Sequence, residues 1–389
     1  MTKRSRLVVN DNFSTIFEEI YKQPAQAMSS APGRVNLIGE FTDYNNGFVL
    51  PCALEFCTRI LYRKRNDNKV VVHSLHYPGE SDEFFLDQEI TRGESQWGNY
   101  IRAVAFVLKR QGHQLSGVDL LIDSNVPQGS GLSSSAALEV AVGGVFNQAC
   151  QLNLSNEAIA VLGQEAENDF MDCQCGIMDQ LVSANGEKAH ALLIDCQSLA
   201  TEAVSIPDDL SIVIVNSNYP RKLVDSEYNQ RRIDCEKAAE KMSVATLRDA
   251  DLAMLNNARS AMSENEYKRA HHVITENTRV LDATQALKNN DMQTLRALMT
   301  ASHISLRDDF EVTIPETDGL VEICQTALGD AGAVRMTGGG FGGAIVCLCR
   351  QADIDKIKDA VAAQYFARFN INASIYVGKA GNGLQVTEF

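Results

Sequence analysis

The sequence predicts an α+β fold built from two domains. A length of 389 residues exceeds one ordinary domain at roughly 100–200 residues each. Strand-like and helix-like stretches intermix without the regular alternation of a doubly wound sheet. The C-terminal part is mainly amphipathic helix, interrupted by strand patterns at Ala333–Met336, Ala344–Cys349 and Ala373–Val377.

The elements follow in order. Residues 47–63 and 69–75 alternate between β-branched or apolar runs and turns, which predicts an early mixed sheet. Ile101, Val104, Ala105 and Leu108 recur at helical spacing within Trp97–Lys109. Gly117–Ser124 reads as a buried strand and Asn125–Gly131 as a glycine-bearing loop. Leu138, Ala141, Val142, Val145 and Phe146 then form one face of a helix, with Ser133 or a neighbour as its cap. A second helix starts near Ser155, with Ile159, Leu162, Ala166 and Phe170 on its apolar face. Ala191–Asp195 and Leu210–Asn216 read as strands. The segment Ser205–Asp209, with Pro207 between two strand patterns, marks the expected boundary between domains 1–205 and 206–389.

Composition narrows the function. Lys and Arg number 35 against 50 Asp and Glu, a net charge of −15. Such a field repels phosphate backbones and anionic lipid, which argues against nucleic-acid or membrane partners. None of the ten cysteines forms a C-x-x-C, and His73 and His76 lack nearby partners for a zinc site, so free thiols are expected. The basic start has no apolar h-region, and no run reaches the ~18 apolar residues of a span. The expected location is the cytoplasm.

Four features carry chemistry. The loop Gly129–Ser135 lies between an apolar strand and an amphipathic helix; its glycines and helix N-terminus suit a phosphate, and its serines add donors and a possible magnesium ligand. A tight turn with capping serines fits equally well. No Walker A loop, dinucleotide fingerprint or protein-kinase signature is present. Gly338–Gly343 formally matches G-x-G-x-x-G, but a buried strand follows where a dinucleotide site needs a helix, so these glycines predict a close approach to a ligand or another loop. Arg34, Asn36, Glu40, Asp43 and Tyr44 stand among Val35, Leu37 and Ile38, a mixture suited to the hydroxyls of a polyol or to a solvated edge strand. Glu167 lies on the second helix, with Gly163 expected to leave room over it. Asp179 follows Gly176 in an apolar stretch, where an aspartate is costly unless paired.

The chain resembles the galactokinases of the GHMP family of small-molecule kinases. The motifs are GRVNLIGEFTDYNNG at 33–47, GSGLSSSAALE at 129–139 and RMTGGGFGG at 335–343, with CGIMDQ and SEYNQRR narrowing the likeness. The resemblance implies a two-lobed GHMP architecture, with the active site between an N-terminal mixed-sheet lobe and a C-terminal helix-rich α+β lobe. It implies ATP-dependent phosphorylation of the anomeric hydroxyl of galactose, the first phosphorylation step of its catabolism, by a monomer or weak dimer. Asp179 and Arg34 would be catalytic. Glu40, Phe41, Thr42, Asp43, Gly176 and Tyr228 would meet the sugar. Gly129, Ser130, Gly131, Leu132, Ser133, Ser134 and Ser135 would hold the ATP phosphates, with Trp97 and Tyr100 near the base. Ser135 and Glu167 would bind Mg2+. The chain departs from the family at one place: Phe41 stands where the usual G-E-H-T-D-Y has a histidine, a sugar contact near the exocyclic end.

Overall fold

The computed structural model describes residues 11–127, 129–220 and 224–389; the basic start of the chain, residues 1–10, lies outside the described residues. In chain order, α1 (Asp11–Tyr21) precedes β1 (Ala27–Asn36), β2 (Phe48–Val49), β3 (Pro51–Lys64), β4 (Lys69–Ser74) and β5 (Ser81–Phe85). Then come α2 (Gly98–Arg110), β6 (Val118–Ser124), α3 (Ser134–Ala149), α4 (Asn156–Glu165), a π-helical turn at Ala166–Phe170 and α5 (Met178–Asn185). β7 (His190–Asp195), β8 (Thr201–Ser205) and β9 (Leu210–Asn216) follow. Helices α6 (Val224–Met242), α7 (Leu252–Ala258), α8 (Glu264–Lys288), α9 (Met292–Asp308) and α10 (Pro315–Leu328) lead to β10 (Gly332–Thr337) and β11 (Ala344–Arg350). The chain ends with α11 (Ile354–Phe369), β12 (Ser374–Gly378) and β13 (Gln385–Glu388).

Three sheets organise these elements. A six-stranded sheet runs β13-β1-β3-β6-β4-β5, mostly antiparallel but with β4 parallel to β6. A four-stranded antiparallel sheet runs β10-β11-β9-β12, and a small sheet runs β2-β7-β8. This is the mixed α+β class that the intermixed pattern predicts.

Helices α2 to α5 cover the large sheet, with Val104, Leu108, Val142, Phe146 and Leu181 fully buried among the core residues there. A second core joins the two ends of the chain: Val35, Leu37 and Leu54 pack with Ile212, Ile214, Val346 and Leu348. The C-terminal strand β13 returns to pair with β1, Ala27 opposite Glu388. Helices α10 and α11 bury Leu320, Ile323, Ile357 and Val361 together with Val213 and Val215 of the second sheet.

Two sequence expectations change in the structure. Helix α4 is capped by Ser155, whose hydroxyl accepts from Ala158 N, but α4 ends at Glu165. Residues 166–170 wind as a π-helical turn, a form that often marks a functional position. Strand β1 is buried and lies between β13 and β3, so the solvated edge strand that the Arg34–Tyr44 segment also allowed is not formed.

Candidate active site

The site begins at an irregularity in β1. Its register against β3 shifts between Pro32 and Arg34, and such a bulge re-aims the side chain that follows. A Cβ on Gly33 would lie 2.6 Å from Leu132 O, so glycine is what lets the 129–135 loop come close. Arg34 N donates to Leu132 O at 3.0 Å. The Arg34 guanidinium then forks onto Asp179: Nε to Oδ1 and Nη2 to Oδ2, both 2.6 Å, while Nη1 donates to Gly131 O at 2.6 Å. Asp179 sits in the first turn of α5, so strand, loop and helix meet at one carboxylate. A bidentate arginine fixes both the position and the plane of that carboxylate.

The 129–135 loop divides its labour. Gly129 and Gly131 take left-handed backbone, φ 69° and 76°. The Ser130 hydroxyl donates to Pro127 O at 2.6 Å and so closes the turn, while Leu132 is buried in the core that joins the two ends of the chain. Ser133 stands at the start of α3 but makes no capping hydrogen bond; its hydroxyl donates to Asp179 Oδ2 instead. Ser134 and Ser135 open α3 and line two adjoining cavities of about 340 and 440 Å³.

Glu167 lies on the π-helical turn, buried, within hydrogen-bonding reach of the Ser135 hydroxyl. Gln180 Nε2 bridges two carboxylates, at 2.9 Å from Glu167 Oε2 and 3.0 Å from Glu139 Oε2. Glu139 is fully buried and its Oε1 has no partner. Burial pushes both carboxyls up, and repulsion from the neighbouring Glu167 pushes Glu139 the same way; Asp179 does so for Glu167. An orphaned buried carboxylate oxygen beside a carboxylate–hydroxyl pair is the donor set a hard cation wants. Gly163 leaves room for Gln180 and Glu139, 3.1 and 3.4 Å from its added Cβ, and not over Glu167 as the sequence suggested.

The turn at 39–48 forms the far wall of the smaller cavity, and α8 clamps it. Gly39 N donates to Glu276 Oε1 at 3.0 Å, His272 Nε2 lies 3.1 Å from Glu40 O, and Phe48 N donates to Asn277 Oδ1 at 2.9 Å. Glu40 reaches the cavity wall, but its oxygens are engaged: Oε2 pairs with Arg335, and Oε1 accepts from Thr337 Oγ1 and Gly338 N at 3.1 and 3.0 Å. Thr42 is not brought to the cavity; its hydroxyl lies 2.6 Å from Phe48 O and 2.9 Å from Gly39 O, which holds the turn. Asp43 and Gly176 both line the cavity, and a side chain on Gly176 would collide with the Asp43 carboxylate. Burial and the neighbouring Asp179 push the Asp43 carboxyl up to about 6. Tyr228 lines the same wall from α6, its phenol pushed well above its ordinary range by burial. The Phe41 ring also lines it, stacked on Phe310 at 4.5 Å between centroids.

Trp97 and Tyr100 line the larger cavity. Trp97 stacks on Tyr77 with a 6° interplanar angle and donates from Nε1 to Glu80 Oε2 at 3.2 Å. Between β10 and β11 the glycine run approaches three things. Gly338 passes Gly131 O, with 3.5 Å to its added Cβ. Gly339 faces Tyr228, and a side chain on Gly340 would collide with Val312. The close approach predicted from the glycines is to another loop and to the cavity.

Sequence reasoning missed Glu139, Gln180, Arg335 and Tyr77. Glu139 is one helical turn beyond Ser135, and Gln180 follows Asp179, so spacing gave a usable signal for these two. Arg335 opens a quoted motif, yet nothing local to it predicts that its partner is Glu40. Tyr77 lies between β4 and β5 with no local mark at all.

Comparison with known proteins places this fold in a family. The description "GHMP kinases N terminal domain" matches residues 99–187, "GHMP kinases C terminal" matches 283–367, and "Galactokinase galactose-binding signature" matches 15–64. Lactococcus lactis galactokinase, solved in complex with galactose, is similar over 97 % of this chain and 99 % of its own, at 35 % identity and a TM-score of 0.91. Methanococcus jannaschii mevalonate kinase matches 92 % of this chain and 99 % of its own at 17 % identity and a TM-score of 0.60. Homoserine kinase from Cytophaga hutchinsonii matches 94 % and 98 % at 16 % identity and a TM-score of 0.61; these last two share the fold. Fold and paired cavities thus define a small-molecule kinase of the GHMP class. Within that class, the chain belongs to the galactokinase family.

Proposed function

We propose that the protein transfers the γ-phosphoryl group of ATP to the anomeric hydroxyl of D-galactose, giving galactose 1-phosphate and ADP. The observation that carries the reading is the Arg34–Asp179 pair at the base of a polar cavity that adjoins a second, aromatic one through Ser134 and Ser135. Galactose would occupy the first cavity and the adenine end of ATP the second, beside Trp97 and Tyr100.

Asp179 accepts the anomeric proton as the sugar oxygen bonds to phosphorus and the bond from phosphorus to the ADP oxygen breaks. Arg34 holds the carboxylate in place and offsets negative charge near the transferring group. Asp43, Gly176 and Tyr228 meet the remaining sugar hydroxyls, with Tyr228 kept neutral by its burial. Glu40 shapes the same wall through Arg335 and the Gly338 backbone. The Gly129–Ser135 loop cradles the phosphates. Magnesium, when bound to Ser135 and Glu167, supplies positive charge to the phosphates of ATP in a protein of net charge −15.

We place the lobes at 1–205 and 206–389, with β13 returning to the first. A cytoplasmic setting is supported by ten free cysteines, and among the described residues no helix is long and apolar enough to cross a membrane. We take the protein to work as a monomer or weak dimer. A coupled ADP-release assay with a panel of hexoses tests the activity; turnover confined to another sugar, or none with galactose, refutes it.

A further inference from the structure

We infer that Ser133 is a positioning residue for Asp179, and that Ser133 and Arg34 together leave Asp179 Oδ1 as the atom that takes the substrate's proton. This rests on the reading of Asp179 given above and deepens it.

Ser133 occupies the cap position of α3, where a serine normally has extended backbone and accepts from an N–H of the first turn. Here it has φ 57° and ψ 56°, left-handed, and makes no such bond. Left-handed backbone is unfavourable for any residue with a Cβ, and glycine would adopt it without the steric penalty. A serine kept in that conformation needs a return, and the structure offers one: its hydroxyl donates to Asp179 Oδ2. Strain at a site of this kind points to a function for the side chain.

The hydrogen bonds then discriminate between the two oxygens of Asp179. A carboxylate offers about four acceptor positions. Arg34 Nη2 and Ser133 fill those of Oδ2, and Arg34 Nε fills one on Oδ1. The position left for a hydroxyl donor is on Oδ1, and Asp179 lines a cavity together with Arg34 and Ser133. Ser133 thus acts on the carboxylate that receives the proton, a different task from the phosphate contact expected of it in the sequence.

Two substitutions that both remove the hydroxyl separate this role from a structural one. Ser133→Ala keeps the left-handed strain, and Ser133→Gly relieves it. The expected result is a fall in kcat of about ten- to hundredfold in both, the loss of one charge-assisted hydrogen bond at the reacting group. KM for galactose and for ATP should each stay within about threefold. Thermal midpoints should separate the pair, with Ser133→Gly above Ser133→Ala and at or above the parent. A merely structural serine would let kcat follow the midpoint, so that the glycine variant keeps its turnover. Turnover within about threefold of the parent in Ser133→Gly, with Asp179→Asn inactive, overturns the inference. So does a rise confined to KM for ATP, which would return Ser133 to the phosphates. Normal turnover in Asp179→Asn instead removes the reading of Asp179, and this inference with it.

Discussion

Asp179 and Glu167 face the same cavity, and the fold prepares them in opposite ways. Asp179 is held by a bidentate arginine and a serine, with its side chain 28 % exposed toward the cavity. Glu167 is almost fully buried, forms no ion pair with an arginine or lysine among the described residues, and shares one amide nitrogen with a second buried acid, Glu139. The first carboxylate has its countercharge built in. The second pair has no such countercharge among the described residues. A reaction that moves a proton needs a carboxylate fixed in plane and charge, whereas a site that recruits a cation needs acids left electrostatically short.

Asp179→Asn gives the largest expected effect. It removes the proton acceptor but keeps the shape, so kcat should fall by about 10²–10⁴, with galactose binding kept within about tenfold. Calorimetric titration with galactose alongside single-turnover rates would check both halves; unchanged turnover would take Asp179 out of the chemistry.

Glu167→Ala tests the other carboxylate. Changes to outer partners of a metal site alone cost about 10–100-fold in metal affinity, so loss of Glu167 should raise the magnesium requirement at least about tenfold. Galactose affinity without nucleotide should not move. The thermal shift induced by magnesium and a non-hydrolysable ATP analogue supplies a readout apart from turnover. Overlaid magnesium titrations of variant and parent would contradict the contrast drawn between the two acids.

The same contrast marks what a sequence can reveal. Asp179 was legible because an aspartate in an apolar stretch must be paired, and Arg34 was singled out in a polar motif of its own. That the two would meet came only from the motif likeness, since nothing local links a strand bulge to the first turn of α5. Strands, helices and the α+β class followed from periodicity. The π-helical turn did not, because Ile159, Leu162, Ala166 and Phe170 keep a spacing that an unbroken helix would satisfy too. The Glu139–Gln180–Glu167 bridge draws on three separate segments and is set by packing. Ser133 reads as a cap by composition, and only its backbone conformation shows that the side chain turns elsewhere.

Asp43 extends the comparison to pH. Its carboxyl sits near Asp179 without an arginine fork of its own, and burial together with that neighbour raises it from 3.8 to about 6. The folded state therefore holds the Asp43 proton to higher pH than the unfolded state does. Its contribution to stability falls as pH rises from about 4 to about 6 and is level above that. Asp43→Asn removes this component, so the variant's thermal midpoint should gain on the parent's across that window by roughly 2–4 °C and then keep a constant lead. Melting curves at several pH values from 4.5 to about 8 would show it. A lead that does not change with pH would mean that Asp43 is no more reluctant to ionise than an ordinary aspartate.

Phe41 gives the smallest expected effect and bears on which sugar the cavity accepts. Its ring lines the cavity, yet it also stacks on Phe310 and lies 5.7 Å from the Tyr228 ring, so it belongs to wall and core at once. Its backbone is left-handed, φ 65°, which is strained for an aromatic residue and easier for a histidine. Phe41→His should thus relax the backbone while losing the stack on Phe310, and the net change in stability should be small. A histidine can hydrogen-bond a sugar hydroxyl, whereas a phenyl ring offers an apolar wall. With Phe41 in place, galactose and 6-deoxygalactose should be used at similar kcat/KM, because nothing on the ring is left unpaired by the missing hydroxyl. One hydrogen bond to a neutral hydroxyl contributes about 0.5–1.5 kcal/mol, so Phe41→His should raise the ratio in favour of galactose roughly two- to tenfold. Water can take over part of that bond, which favours the lower end. The measurement is the ratio of kcat/KM for the two sugars in both proteins, with thermal midpoints run beside it. An unchanged ratio in a variant that melts like the parent would make Phe41 a core residue that happens to border the cavity, and would leave the sugar's exocyclic end to be read by other residues of the wall.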